Sequence, residues 1–160
     1  TAWAFASLGL PDSDLMDQIL VEVIAKVNDF ATQNLSNTAW AYAKLGLWNE
    51  RLMQTLAHAI VRKVQDFDAQ GLANVAWAYA VLGFKSKKLS EVLLHAALNK
   101  IGADDFGAQE LANMAWSFDV TGDEDSLLRF LEAAVPRFLS VEGFSDAAAS
   151  TELANIVARH

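Results

Sequence analysis

The sequence predicts an all-α protein: a right-handed α-solenoid of stacked helical hairpins with a 37–39-residue repeat. Three observations lead there. Trp3, Trp40, Trp77 and Trp116 stand 37, 37 and 39 residues apart, and Gly9, Gly46, Gly83 and Gly122 each follow their Trp by six. Phe30, Phe67, Phe106 and Phe144 repeat at nearly the same interval. Asn37, Asn74 and Asn113 lie three residues before a Trp, and Gln33, Gln70 and Gln109 lie four before the Asn. Self-similarity at a fixed period of a few tens of residues marks units that bury their apolar faces only by stacking.

By this register the chain opens inside a helix of the first type, because Thr1-Ala2-Trp3 aligns with Thr38-Ala39-Trp40. First-type helices are expected over 33–45, 70–82 and 109–120. Each is Ala-rich and ends at a Gly where a left-handed C-cap belongs. Second-type helices open at Asp12, Asn49 and Ser86, whose side-chain oxygens can take orphan amides of the first turn. The fourth copy has Glu124 there, with Asp123 or Asp125 as alternative caps. Leu52, Leu56, Ile60 and Val64 form an apolar stripe at helical spacing; Leu89, Leu93, Ala97 and Ile101 repeat it, as do Leu127, Leu131, Val135 and Leu139. Pro136 falls inside the last of these helices, where a kink or defect is expected.

The expected pairs are therefore 12–28 with 33–45, 49–65 with 70–82, 86–101 with 108–120, and 124–140 with 147–158. In repeat terms the chain is a partial unit 1–30, units 31–67, 68–106 and 107–144, and a partial, degenerate unit 145–160. The expectation is a segment of a longer repeat protein. Its uncovered apolar ends should make it associate when isolated, which sedimentation would detect.

Composition narrows the function classes. The chain is 53% apolar and 20% charged, which excludes disorder. Without cysteine, thiolate metal sites, cysteine nucleophiles and disulfides are excluded. The longest apolar run, Val75 to Phe84, is half of the ~20 residues that a membrane helix needs. A net charge of −8 excludes a uniformly cationic nucleic-acid clamp, but residues 51–100 carry a local surplus of +4. The histidines do not converge at metal-ligand spacing, and no nucleophile stands with a base. No catalysis, cofactor, metal or small-molecule substrate is expected.

The string Gln70-Gly71-Leu72-Ala73-Asn74-Val75-Ala76-Trp77-Ala78-Tyr79-Ala80-Val81-Leu82-Gly83 resembles the core of octotricopeptide repeats, helical hairpins related to the repeats of organellar RAP and FAST-kinase-like proteins. The resemblance covers nearly the whole chain, is clearest at 33–46, 70–83 and 109–116, and weakens at Asp119, at Thr121 and in the fourth unit. It implies a chloroplast-stromal or mitochondrial-matrix factor in RNA processing, stability or translation. It also implies single-stranded RNA contact at about one base per repeat. This chain departs from the family in its acidity, and the proline-rich loop survives only as Pro11.

Four sets of residues are candidates. The Trp and Gly series are read as structural repeat anchors, with base stacking on exposed indoles as the alternative. Gln33, Asn37, Gln70, Asn74, Gln109 and Asn113 share one face of their helices, and either satisfy backbone between repeats or form an amide ladder for a bound chain. Lys63, Lys85, Lys87 and Lys88, from the basic middle, are candidate phosphate contacts; Lys85–Lys88 begin a helix, where cations oppose the dipole. They serve equally for an acidic protein. Two functions stay open: an organellar RNA-binding module, or a scaffold subunit of an organellar assembly.

Overall fold

The computed structural model describes residues 13–103, 105–140 and 147–160. These form eight helices, and no strand occurs among the described residues. In chain order they are α1 (Ser13–Lys26), α2 (Thr32–Lys44), α3 (Glu50–Lys63), α4 (Ala69–Val81), α5 (Lys87–Gly102), α6 (Ala108–Thr121), α7 (Glu124–Ser140) and α8 (Ala147–Arg159). Single 3-10 turns, Val27–Asp29 and Val64–Asp66, extend α1 and α3. Each expected helix is present, its ends within three residues of expectation. The pairing differs: α2 packs against α3, α4 against α5 and α6 against α7, each first-type helix against the one that follows it rather than the one before, because the tight left-handed glycine turn brings those two together. Trp3, Gly9, the Asp12 cap and Phe144 lie outside the described residues.

Local chemistry sets the helix ends. The Asn49 side chain accepts from the Leu52 amide at 2.9 Å, and Ser86 accepts from Leu89 at 3.3 Å. In the fourth copy Asp123, not Asp125, is the cap: its carboxylate accepts from the Ser126 amide at 3.2 Å. Gly46, Gly83 and Gly122 all take φ near +70°, the left-handed conformation that L side chains resist. The residue after each glycine donates its amide back five residues, as from Phe84 to Tyr79 at 3.0 Å, which closes a Schellman cap. Pro136 breaks nothing: α7 runs through it to Ser140, and the proline is exposed, so the carbonyl it leaves without a donor can face water.

The helices form two rows. In the first, α2, α4, α6 and α8 touch successively along their lengths. In the second, α1, α3, α5 and α7 meet more sparingly. Ala39, Ala43, Ala73, Ala76, Ala80, Ala112 and Ala115 are all buried in the first row, where their small side chains let backbones come close. The second row supplies the larger core side chains, including Leu52, Leu56, Ile60, Leu94 and Phe130.

The deepest aromatic positions belong to Phe67, Phe106 and Phe130, at 1% exposure or less. Trp40, Trp77 and Trp116 are partly buried at the core's margin instead. The residue two positions beyond each Trp goes inward. The Tyr42 hydroxyl donates to the Met16 carbonyl at 2.9 Å, and the Tyr79 hydroxyl donates to that of Met53 at 2.8 Å. Both bonds reach back 26 residues and tie a first-row helix to the second-row helix before it. Burial raises both phenol pKa values, that of Tyr42 to about 12. The third copy, Phe118, has no hydroxyl to give.

Two substitutions test these joints by denaturant unfolding. Tyr79→Phe keeps the ring and removes one buried hydrogen bond, with an expected loss of about 1 kcal/mol. Gly83→Ala meets no atom within 4 Å, so only the left-handed backbone resists it, at about 1–2 kcal/mol.

Candidate functional site

Helical geometry gathers the repeated residues into one stripe. Positions i, i+4, i+7 and i+11 share a helix face. On α2 these are Gln33, Asn37, Trp40 and Lys44; on α4, Gln70, Asn74, Trp77 and Val81; on α6, Gln109, Asn113, Trp116 and Val120. Exposure follows the same order on all three: the two ends are exposed, and Asn and Trp are partly buried. On α8 the equivalent Thr151, Asn155 and Ala158 are exposed as well. Because these helices touch side by side, the stripes line up as columns across the first row. Neighbouring columns stand roughly 8–10 Å apart, the spacing of packed helices.

Within this surface the indoles of Trp40 and Trp77 approach to 6.4 Å between ring centroids at 33°. Gln109 donates to the Asn113 amide oxygen at 3.0 Å, so the amides of one stripe are within reach of each other. The Asn113 carbonyl accepts from the Ser117 hydroxyl at 2.6 Å, and that of Asn34 accepts from Thr38 at 2.7 Å. Hydroxyls on the inner faces thus bind backbone, while the Gln and Asn amides are left toward the outside. The Trp series, read from the sequence as anchors, occupies the margin between core and surface. An aromatic in that place can pack on one side and offer an edge or face on the other.

The four lysines do not join the amides. Lys63 donates its ammonium to the carbonyls of Phe30 at 2.6 Å and Asn28 at 3.0 Å, which holds the turn before α2. Arg137 repeats the device on Phe106, with its Nε donating to that carbonyl at 3.1 Å. Lys85, Lys87 and Lys88 are exposed at the start of α5, beyond the C-terminal end of α4. Gln70 stands at the other end of α4, about 20 Å away by helical rise. Lys44 is a cation that does lie in the stripe surface.

Two carboxylates close the far end. Asp119 accepts from Arg159 at 2.5 Å and meets His160 at 3.1 Å, which ties α6 to the end of α8. Asp123 accepts from the Ser90 hydroxyl besides capping α7. Burial raises the pKa of each, but their hydrogen bonds outweigh it and hold both below the ordinary carboxylate value. No cluster of His, Asp or Glu that could hold a metal occurs among the described residues, and no described helix is long and apolar enough to cross a membrane.

Since Asp123 is more acidic folded than unfolded, its contribution is complete above an unfolded value of about 3.9 and is lost as pH falls through the lower native value. Asp123→Ala should therefore cost about 1 kcal/mol at pH 7. Urea unfolding of variant and wild type should show that gap narrowing at pH 3.

Comparison with known proteins adds one family. The protein-family model described as RESC6, RNA-editing substrate-binding complex 6 protein, matches residues 1–147. No curated protein matches the chain.

Proposed function

The chain belongs to the RNA-editing substrate-binding complex 6 protein family, and from that premise we propose that it is a non-catalytic binding module of an RNA-editing complex that contacts single-stranded RNA. Its two rows of helices read best as an octotricopeptide-like, right-handed solenoid of 37–39-residue hairpins. Close packing in the Ala-rich first row against sparser contact in the second curves the stack so that the first row lines the concave side. The assembly belongs in an organelle, with the mitochondrial matrix preferred to the chloroplast stroma.

The observation that carries this reading is the Gln–Asn–Trp stripe, presented in one register by three helices in contact. Helical-repeat proteins that read RNA base by base use two or three side chains per repeat. An amide pair supplies donors and acceptors for a base edge, and an indole margin supplies a stacking surface that tolerates any base. Such a surface suits an acidic chain, since it needs few phosphate contacts. A scaffold role is the second reading, supported by the net charge of −8.

The test is binding of a labelled mixed-sequence single-stranded RNA pool to the whole chain at two salt concentrations, with folding of each variant checked by circular dichroism. Trp77→Ala should weaken binding about 10-fold, within the 1–3 kcal/mol measured for a stacked base. The pair Gln70→Ala and Asn74→Ala should change base preference. With Lys44 as the cation of the stripe, the slope of log affinity on log salt should be shallow, roughly −0.7 to −1.4 for one or two phosphates. If Trp77→Ala and the Gln70/Asn74 pair both bind as the wild type does, the stripe is not the RNA surface. Affinity that instead falls with Lys85→Ala, Lys87→Ala and Lys88→Ala would move the RNA to the opposite edge.

A further inference from the structure

The edge that carries the three lysines also holds a cavity of about 280 Å³ between α4, α5 and α6. Its walls include Tyr79, Phe84, Leu89, Leu93, Ser90 and Phe118. The repeat explains why it exists. Met16 and Met53 are buried at one register position, where Tyr42 and Tyr79 bond their carbonyls. In the next copy that position is Ser90, and the tyrosine is Phe118. A long side chain has become a short one, and a hydroxyl has been lost beside it. The methionine side chain that is buried in the two earlier copies is absent from the third, and the space is large enough for a guest: roughly 150 Å³ already admits a benzene ring.

The lining says what kind of guest. Apart from Lys85 and Lys87 at its exposed rim, its polar side chains are engaged within the protein: Tyr79 with the Met53 carbonyl, Ser86 with the Leu89 amide, Ser90 with Asp123, Ser117 with the Asn113 carbonyl, and Thr121 with those of Ser117 and Phe118. A nucleobase inserted here would lose its hydrogen bonds to water and find little to replace them, a cost of a few kcal/mol per group. An apolar side chain would lose nothing. Around the cavity the surface is aromatic and cationic. Lys85, Lys87 and Lys88 are all exposed, and Trp48, 52% exposed, packs on Phe84 with ring centroids 6.1 Å apart. Asp123 is bound by Ser90 and Ser126, and Asp125 lies 3.7 Å from Arg129, both on the α7 side. On α5, Glu91 lies 4.0 Å from Lys87, which leaves Lys85 and Lys88 as the cations without an acidic partner on that helix.

We propose that this cavity is the anchor pocket for an acidic peptide segment of a protein partner, which inserts one aromatic or leucine side chain between Phe84 and Phe118 and lays its carboxylates over Lys85 and Lys88. A buried apolar anchor with exposed charges around it is the arrangement that concentrates binding energy in protein interfaces. Ala76 and Tyr79, which line the cavity, lie on another face of α4 from Asn74 and Trp77, and Gln70 stands about 20 Å away by helical rise, so a partner here and RNA there use different residues. This goes beyond the RNA reading.

The probe is a labelled peptide, Gly-Ser-Glu-Asp-Glu-Phe-Gly-Ser, titrated with the whole chain by fluorescence anisotropy. The control peptides replace Phe by Ala, or Glu-Asp-Glu by Gln-Asn-Gln. Both controls should bind at least 10-fold more weakly, and only the acidic peptide should weaken steeply with salt. Ser90→Met restores the side chain that Met16 and Met53 carry, and should reduce peptide binding at least 10-fold with RNA binding unchanged. The surface pair Lys85→Glu and Lys88→Glu provides the same test without touching the core, and should abolish the salt dependence. The proposal is overturned if the Phe→Ala peptide binds equally, if Ser90→Met folds and binds as wild type does, or if a single-stranded oligonucleotide displaces the peptide from the wild type.

Discussion

Close approach of α2, α4, α6 and α8 is the constraint on which everything else in the molecule depends. An Ala-rich helix has little apolar area to bury against a single neighbour, so it needs one on each side. Small side chains give that, because they let helices pack at the short end of the usual interaxial range. Once the first row is drawn together, larger Leu, Ile and Phe side chains from the second row must fill the space behind it. That division decides which residues can be outside. On a helix flanked on both sides and backed by a second layer, the remaining face is narrow. Gln, Asn and Trp occupy that narrow face in three helices running, which is why the proposed binding surface follows from a packing requirement.

Tyr42 and Tyr79 show how the two rows are held in register. Apolar packing alone is nondirectional and tolerates small slides. A buried hydroxyl with one carbonyl in range does not, since a slide would leave it unsatisfied at a cost of about 1–3 kcal/mol. Where Phe118 replaces the tyrosine, the directional tie is gone, and a different one has appeared nearby: the Ser90 hydroxyl donates to Asp123 of the following loop. The third unit thus exchanges a tie from helix to helix for one from helix to loop, and both kinds join neighbouring units. Its small Ser90 side chain makes the exchange possible and leaves the cavity as a consequence.

Much of this could be read in the sequence because it depends on residues a few positions apart. Gly83 follows from the left-handed cap, Asn49 and Ser86 from the first-turn amides, and the helix pairs from the repeat itself. The coplacement of Gln33, Asn37 and Trp40 follows from helical angles. Depth does not follow so easily. A Trp between alanines looks like a core anchor, and whether it lies inside or at the margin depends on how the second row is placed behind it. Here Tyr42 and Tyr79, two residues on, take the inner position, although the repeat pattern marks both positions equally. Lys63 posed a similar problem, since the carbonyls of Asn28 and Phe30 that engage it are more than thirty residues away. Trp48 stands outside the Trp series and had no periodic partner to draw attention to it. The signal that could have led to the cavity was a departure: Met16, Met53, then Ser90 at one register position.

Charge placement separates the two surfaces. An acidic chain repels any polyanion at long range, and the energy scales with every uncompensated carboxylate within a Debye length of about 10 Å at 0.1 M salt. A surface that holds RNA mainly by stacking and amide contacts loses little to that repulsion, because it asks for few phosphate contacts. A surface that holds carboxylates must instead be locally basic. Residues 51–100, net +4 between acidic flanks, meet that need in one place, at Lys85, Lys87 and Lys88. Three cations beginning α5 act against its dipole and weaken the isolated helix by a few tenths of a kcal/mol each. Anionic groups docked over them would reverse that sign. The unfavourable placement in the free protein is therefore the term that a bound acidic segment relieves, and it adds to the apolar anchor on a face of α4 other than the amide stripe.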